Sequence, residues 1–344
     1  MARDNKRITM RQIATRARVS VGTVSHVINN TARVREPVRR RVLEAIERLG
    51  YQPSLLARGL RRNQTTIIGV IIPDISNPFF PLVVRGVEDI AYQNSYQLML
   101  CNADNDAHKE QVYFDELRAY RMAGLIVIPS ADSKLVSAAA SGGGELPVIC
   151  LDRCPEGWKG DSITVDNSEG AYQATRYLLE LGHRRIAAIA GQLHVTSAVE
   201  RLKGFKQALR EDGISIAPEY IQEGRFDRLS GYEKGLMMLQ FSPRPTAIFA
   251  ANDLVALGVL AALRELGLRC PEDVSLVGFD DLELASFTNP ALTTVAQPAY
   301  QMGARAAGLL FERLRGEDLL PQHIVMKAAL KVRDSTAAPP HNHH

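Results

Sequence analysis

From Thr66 to about Val332, short apolar runs alternate with longer stretches of helical periodicity, and this alternation narrows the fold more than any other feature of the chain. Ile67 to Ile72, Gln97 to Cys101, Leu125 to Pro129 and Val148 to Asp152 are apolar on successive residues rather than on every second one. A strand buried on both faces reads this way, and such burial is what a parallel sheet covered by crossover helices imposes. Segments Pro78 to Asn94, Lys109 to Arg121 and Lys134 to Ser141 supply the helices. A second series repeats the pattern. Its strands fall at Ile163 to Val165, Ile186 to Ala190, Ala247 to Ala251 and Val274 to Phe279, and its helices at Ser168 to Leu181, Val199 to Glu211, Gly231 to Leu239 and Leu254 to Leu266. Two series imply two doubly wound parallel sheets, an α/β body of two lobes. Ligands of such sheets bind beyond the carboxyl ends of the strands, so facing lobes place a cleft there.

The residues ahead of this body differ in charge. Residues 1–62 hold 15 Lys and Arg against 4 Asp and Glu, a balance of +11, whereas the remainder holds 26 against 34, a balance of −8. The chain's net +3 averages the two. A basic head on an acidic body points to a polyanionic partner for the head alone.

Within the head, Thr9 offers an N-cap, and Ile13, Ala14 and Ala17 fall at helical spacing, predicting a first helix over Met10 to Ala17. Ser20 caps a second, in which Val24, Val27 and Ile28 form the inward stripe and Val21, Gly22, Thr23, Ser25, His26 and Asn29 face outward. A third runs from about Arg35 to Leu49, with Pro37 in its first turn, Val38, Val42, Leu43, Ile46 and Leu49 inward, and Gly50 as its stop. This is an all-α helix-turn-helix unit over residues 1–52. Short side chains at the start of its second helix permit close approach to base edges in a major groove. Arg11, Arg16, Arg18, Arg33, Arg35 and Arg39 to Arg41 supply charge for phosphates.

Ile13-Ala14, Val19-Ser20 and Thr23 to Asn30 resemble the head of the lactose/galactose repressor (LacI–GalR) family of bacterial transcriptional regulators, and later segments extend the likeness along nearly the whole chain. The resemblance implies that Val21, Gly22 and His26 read bases and that Ser20 and Thr23 meet phosphate or base edges, with Thr9, Ser25, Asn29 and Arg33 completing the DNA-facing set. Two positions depart from the family pattern. Arg18 stands where a turn glycine is common, and His26 where Arg is most frequent, although purine-repressor-like members also carry His there. Histidine lacks arginine's bidentate fork, so an arginine base preference does not transfer.

Residues 53–65 read as a linker with a marginal hinge helix. Ser54 can cap it, yet about seven residues containing Gly59 are too few to stay helical alone in water. Pro53-Ser54, Ala57-Arg58 and Leu60 match the family's hinge segment, which pairs with its dimer mate in the minor groove. The resemblance makes Ala57 and Arg58 DNA contacts and Leu60 the wedge that opens a base step.

By the same likeness, residues 66–334 form a periplasmic-binding-protein-like effector and dimerisation domain. Lobe 1 takes about 66–163 and 295–323, and lobe 2 about 164–292 and 324–334. Pro290 to Pro298 looks like the crossover into the first lobe, followed by a helix to Leu314 and a last strand pair near His323 to Val332. The tail, residues 335–344, is rich in Pro and His, lacks heptads and is expected to be disordered; a homodimer suffices.

Polar residues at strand ends are the effector candidates. Asn77 caps a helix that opens with Pro78, Phe79 and Phe80; Asp152 closes the fourth strand; Asn252-Asp253 and Asp280-Asp281 close two strands of the second series; and Arg201 lies early in the Val199 helix. Carboxylate, amide and guanidinium suit a polyhydroxylated ligand, each hydroxyl of which both donates and accepts, while Phe79 or Phe226 can stack on a sugar face. The resemblance implies that Asp152, Arg201, Asn252 and Asp280 contact the effector of sugar-responsive members, with Phe226 lining the pocket. Asp253 and Asp281 read as caps. The loop Gln192 to Ser197 offers His194, Thr196 and Ser197, and Val195 stands in place of an arginine of the purine-binding pattern. A sugar or sugar derivative is therefore the expected effector, with a purine-type corepressor or a protein coregulator as alternatives.

No P-loop, dinucleotide fingerprint, G-x-S-x-G or H-E-x-x-H motif is present, so an enzyme is not expected. Cys101, Cys150, Cys154 and Cys270 are too few and too scattered for a disulfide framework or zinc site; neither metal nor cofactor is expected. The charged start lacks the apolar run of a signal peptide and no stretch is long enough to span a bilayer, placing the chain in the cytoplasm with the nucleoid.

Overall fold

A computed structural model describes residues 8–29, 32–51, 65–140, 146–316 and 320–340, and the chain divides into two compact units at Thr65 and Thr66. In the head, helices α1 (Met10–Ala17), α2 (Val21–Asn29) and α3 (Glu36–Leu49) follow in the expected order. Thr9 and Gln12 form a capping box: Thr9 N–H donates to Gln12 Oε1 at 2.7 Å, and Gln12 N–H to Thr9 Oγ1 at 3.4 Å. Ser20 Oγ accepts from Thr23 N–H at 3.0 Å, fixing the start of α2. Ile13, Ala14, Ala17, Val24, Val27, Val42 and Ala45 meet in a small core. Leu43, expected inside, is 47% exposed. Val42 and Ala45 set the inward face of α3, and Leu43 stands one residue, about 100°, off that stripe. Arg18 ends α1 at φ 54°, the left-handed conformation that glycine adopts without penalty.

The body holds two six-stranded sheets. The first has the order β11-β5-β4-β3-β1-β2, from β1 (Ile67–Ile72), β2 (Gln97–Asn102), β3 (Gly124–Val127), β4 (Val148–Asp152), β5 (Asp161–Val165) and β11 (His323–Met326). The second has the order β12-β10-β9-β8-β6-β7, from β6 (Ile186–Ala190), β7 (Ile221–Glu223), β8 (Ala247–Ala250), β9 (Ser275–Asp280), β10 (Thr293–Ala296) and β12 (Ala329–Lys331). Every pairing is parallel except β10 with β12. The interior strands are buried on both faces, as their unbroken apolar runs predict. Helices α4 (Phe79–Gln93), α5 (Ala107–Ala119), α6 (Leu135–Ala140) and α12 (Ala299–Leu314) accompany the first sheet. Helices α7 (Asn167–Glu180), α8 (Thr196–Glu211), α9 (Arg228–Leu239), α10 (Asp253–Glu265) and α11 (Glu283–Phe287) accompany the second.

The lobe boundaries shift from expectation. Thr293–Ala296 is a strand beside β9, so the second crossing falls at residues 297–298 rather than near residue 293. The last two strands do not pair with each other: β11 joins the first sheet in register with Ser162 to Val165, and β12 joins the second against β10. No Gly or Pro marks the link between them, which is why the sequence reads as one unit.

The expected disorder of the tail is overturned for residues 335–340. Ser335 is fully buried; its Oγ donates to Leu276 O at 2.6 Å and accepts from Thr293 N–H at 2.8 Å. His183, also buried, has Nδ1 2.9 Å from Thr246 Oγ1 and Nε2 2.9 Å from Ala337 O. Backbone pairing to the second sheet, to which composition is blind, anchors this segment. Residues 341–344 lie outside the described residues.

Candidate effector cleft and DNA-reading head

In the head, Val21, Gly22 and His26 are exposed on α2, with Thr23 and Ser25 half-buried beside them. Val21 is 42% exposed, an apolar contact at the helix start of the kind that meets a thymine methyl. Thr9 and Arg33 are exposed, and Asn29 is the last residue of α2. Ser20 and Thr23 share a 2.9 Å hydroxyl contact. Ala57, Arg58 and Leu60 lie outside the described residues.

The eight effector candidates come together. Asn77, Phe79, Phe80, Asp152, Arg201, Phe226, Asn252 and Asp280 all line one cavity of about 190 Å³ between the two lobes. Asn77 Oδ1 accepts from Phe79 N–H at 3.0 Å, orienting the aromatic pair, whose rings meet edge to face with centroids 5.3 Å apart. Asn252 caps α10 through Val255 N–H at 2.9 Å and donates from Nδ2 to Phe226 O at 3.2 Å, so capping and cleft lining coincide in one residue. Phe226 lies against Gly191, where a Cβ would come within 2.1 Å of the ring, and against buried Val195.

The floor is a set of buried charges. Arg201 Nε donates to Asn167 Oδ1 at 2.8 Å and Nη1 to Ala251 O at 2.6 Å, with its guanidinium 3.8 Å from the centroid of Phe279. Asp280 Oδ1 stands 3.7 Å from Arg201 Nη1 and accepts from Gln297 Nε2 at 2.7 Å. Burial pushes the Asp280 carboxyl up to about 7, outweighing the opposing pull of Arg201 and Gln297. Burial likewise raises Asp152, against Arg153 and Arg201, and lowers both arginines. Asp152 and Asp280 hold positive φ, 67° and 117°, where the strand ends turn sharply into the cleft.

Asp253 and Asp281 are not caps. Asp253 accepts from Thr294 Oγ1 at 2.6 Å and Leu282 N–H at 2.8 Å, tying α10 to the second sheet, and Asp281 pairs with Arg333 at 2.5 Å. Sequence reasoning missed Arg153 and Gln297, as well as Asp74, Asp104, Asn105, Gln192, Arg225 and Asp227. Arg153 directly follows a strand-end carboxylate, a signal that was available; Gln297 follows β10, whose segment reads as a crossover. Of the loop residues, Ser197 reaches the cavity and His194 and Thr196 do not line it.

Among the described residues no helix is long and apolar enough to cross a membrane. Residues 9–54 match the family described as bacterial regulatory proteins, lacI family, and residues 175–336 match a periplasmic binding protein-like domain. The chain is 39% identical over 307 residues to the HTH-type transcriptional repressor PurR of Aliivibrio salmonicida, covering 89% of this chain and 92% of that repressor. It resembles the crystal structure of the Lac repressor dimer bound to operator and the anti-inducer ONPF, with TM-score 0.85 and 29% identity over 97% of this chain and all of that one. It also resembles the transcriptional regulator CelR in complex with cellobiose, with TM-score 0.73 and 32% identity over 96% of this chain and all of that one.

Proposed function

Because the chain belongs to the lacI family of bacterial regulatory proteins and is a transcriptional repressor rather than an enzyme, we propose that a sugar or sugar derivative in the interlobe cleft controls its hold on a pseudo-palindromic operator. The observation that carries this reading is the convergence of Asp152, Arg201, Asn252 and Asp280 on one cavity walled by Phe79, Phe80 and Phe226. Alternating carboxylate, guanidinium and amide meet hydroxyls that both donate and accept, and the rings take the apolar face of a sugar. A cavity of about 190 Å³ suits a single ring. The likeness to a regulator solved with cellobiose supports the same class.

On the DNA side, Val21, Gly22 and His26 of α2 read bases, Ser20 ahead of the helix and Thr23 within it meet phosphate or base edges, and Thr9, Ser25, Asn29 and Arg33 complete the DNA-binding set. Ala57, Arg58 and Leu60 act in the minor groove, and a homodimer presents two heads to the two half-sites. Such a chain works in the cytoplasm, at the nucleoid. A second reading, a purine-type corepressor, is favoured by the identity to repressors named PurR; against it, Val195 is an apolar wall beside Phe226.

Selecting bound sequences from random DNA, then repeating the capture with monosaccharides or purine bases added, tests both halves. A near-palindrome whose capture a sugar alters is the expected result. Sequence-blind capture overturns the operator, and a response to purine bases alone overturns the sugar.

A further inference from the structure

Two polar atoms in the cleft floor are buried and unmet. Among the described residues, three buried side-chain polar atoms lack a hydrogen-bond partner, and two of them, Arg153 Nε and Gln297 Oε1, belong to cleft-lining residues. Arg153 is 7% exposed and Gln297 8%. Leaving such a group buried and unpaired forfeits its hydration without replacement, and the loss is greater where the group is charged.

Arg153 differs from the other cationic groups in the cavity, Arg201 and Arg225, in lacking a hydrogen-bonded partner at Nε. Its counter-charge, Asp152 Oδ2, is 3.8 Å from Nε, beyond hydrogen-bond reach, and the Phe80 ring centroid lies 5.9 Å from its Cζ. Arg201 is held by Asn167 and Ala251. The carboxylates at the mouth are committed within their own lobes: Asp74 to Ser76, Asp104 to Lys109, and Asp227 to Arg225. The acidic lining therefore leaves Arg153 short of an acceptor. Gln297 is the complement. Its Nε2 is used on Asp280, which orients Oε1 as an acceptor with nothing to accept from.

A single ligand that supplies an anionic acceptor and a hydroxyl donor satisfies both. We propose that the effector is a polyhydroxylated acid, its anionic group seated on Arg153 and one hydroxyl donating to Gln297 Oε1, so that Arg153 separates charged from neutral carbohydrates while Gln297 holds a hydroxyl common to both. The proposal rests on the cleft taking a carbohydrate. The shared chemistry is a carbohydrate with one acidic group, whether carboxylate or phosphate.

Isothermal titration of the full-length chain with D-gluconate, D-glucuronate, D-glucose 6-phosphate and D-glucose tests it. The expected result is that at least one acid binds about ten- to hundredfold more tightly than D-glucose. Arg153→Gln then abolishes that advantage, so that the variant binds the acid no more tightly than it binds D-glucose. The carboxylate and phosphate arms identify the acid. Arg153→Lys keeps the charge without the Nε–H and recovers part of the preference, which guards against a Gln variant that does not fold. If D-glucose binds as tightly as every acid, or acid affinity is the same in both variants as in the parent, the proposal is overturned and the carbohydrate reading stands. Binding of none of the four probes overturns both.

Discussion

Asp280 shows how one buried carboxyl links the site to stability. Its carboxyl is raised from 3.8 to about 7, chiefly by burial. An acid whose folded pKa exceeds its unfolded value keeps a proton that the unfolded chain releases. The fold is therefore favoured at low pH and loses that advantage as pH rises from about 3.8 to about 7, then levels off. Asp152 and Asp253, also raised by burial, add in the same direction. His183, lowered by burial, opposes them by weakening the fold as pH falls below 6.5. Urea unfolding of the parent and of Asp280→Asn across pH 5 to 7.5 isolates the Asp280 share. The parent should lose stability more steeply with rising pH, by at most one proton's slope, about 1.4 kcal/mol per pH unit. Parallel curves would show that Asp280 ionises normally. Arg153 belongs to this scale too: the rule that found Asp152, polarity at a strand end, stops one residue short of it, because an arginine beside an apolar run reads as surface. Its burial is set by the positive-φ turn at the adjacent Asp152 and by Phe80, which lies more than 70 residues away in sequence.

Elements were legible where local pattern decides them and not where close packing between chain segments does. Stripes such as Val24 with Val27 and runs such as Ile67–Ile72 announce themselves through burial periodicity. The short strand β7 and helix α11 give too few residues for any period, and β11 and β12 separate because of pairing partners more than 30 residues away in sequence, as between His323 and Ser162 or Lys331 and Thr294. The contact between α4 and α12 is of this hidden kind. A Cβ at Gly86 would fall 2.1 Å from Tyr300 O and one at Gly303 1.9 Å from Val83 O, so the two helices approach backbone to backbone. This packing fastens α12, which follows the second crossing, onto the first lobe. Gly303→Ala should accordingly cost about 1–3 kcal/mol through forced separation of the helices, despite alanine's advantage of about 1 kcal/mol in helix propensity. Denaturant unfolding monitored by circular dichroism reads the change. A stabilised variant would mean that propensity outweighs the contact.

At the scale of the whole molecule, the proposed function requires the charge division and the cleft to enter one equilibrium. A head of +11 favours DNA, while a body of −8 adds no attraction for phosphate, so the electrostatic share of the affinity rests on the first 62 residues. The cleft is built from both lobes, with Arg201 and Asp280 from the second facing Asp152 and Arg153 from the first, so a ligand that bridges them favours one lobe arrangement. Binding can move DNA affinity only if the DNA-competent and released states differ in their affinity for that ligand. Coupling is then reciprocal: a ligand that weakens operator binding tenfold, about 1.4 kcal/mol, must itself bind tenfold more weakly to the operator-saturated repressor. Titrating the ligand with and without saturating operator, and the operator with and without saturating ligand, measures the two factors independently. Equal ligand affinities in the two titrations, alongside a real effect of ligand on operator binding, would break the thermodynamic cycle and show that the two preparations are not at equilibrium. Equal affinities with no such effect would leave the cleft as a binding site uncoupled from DNA.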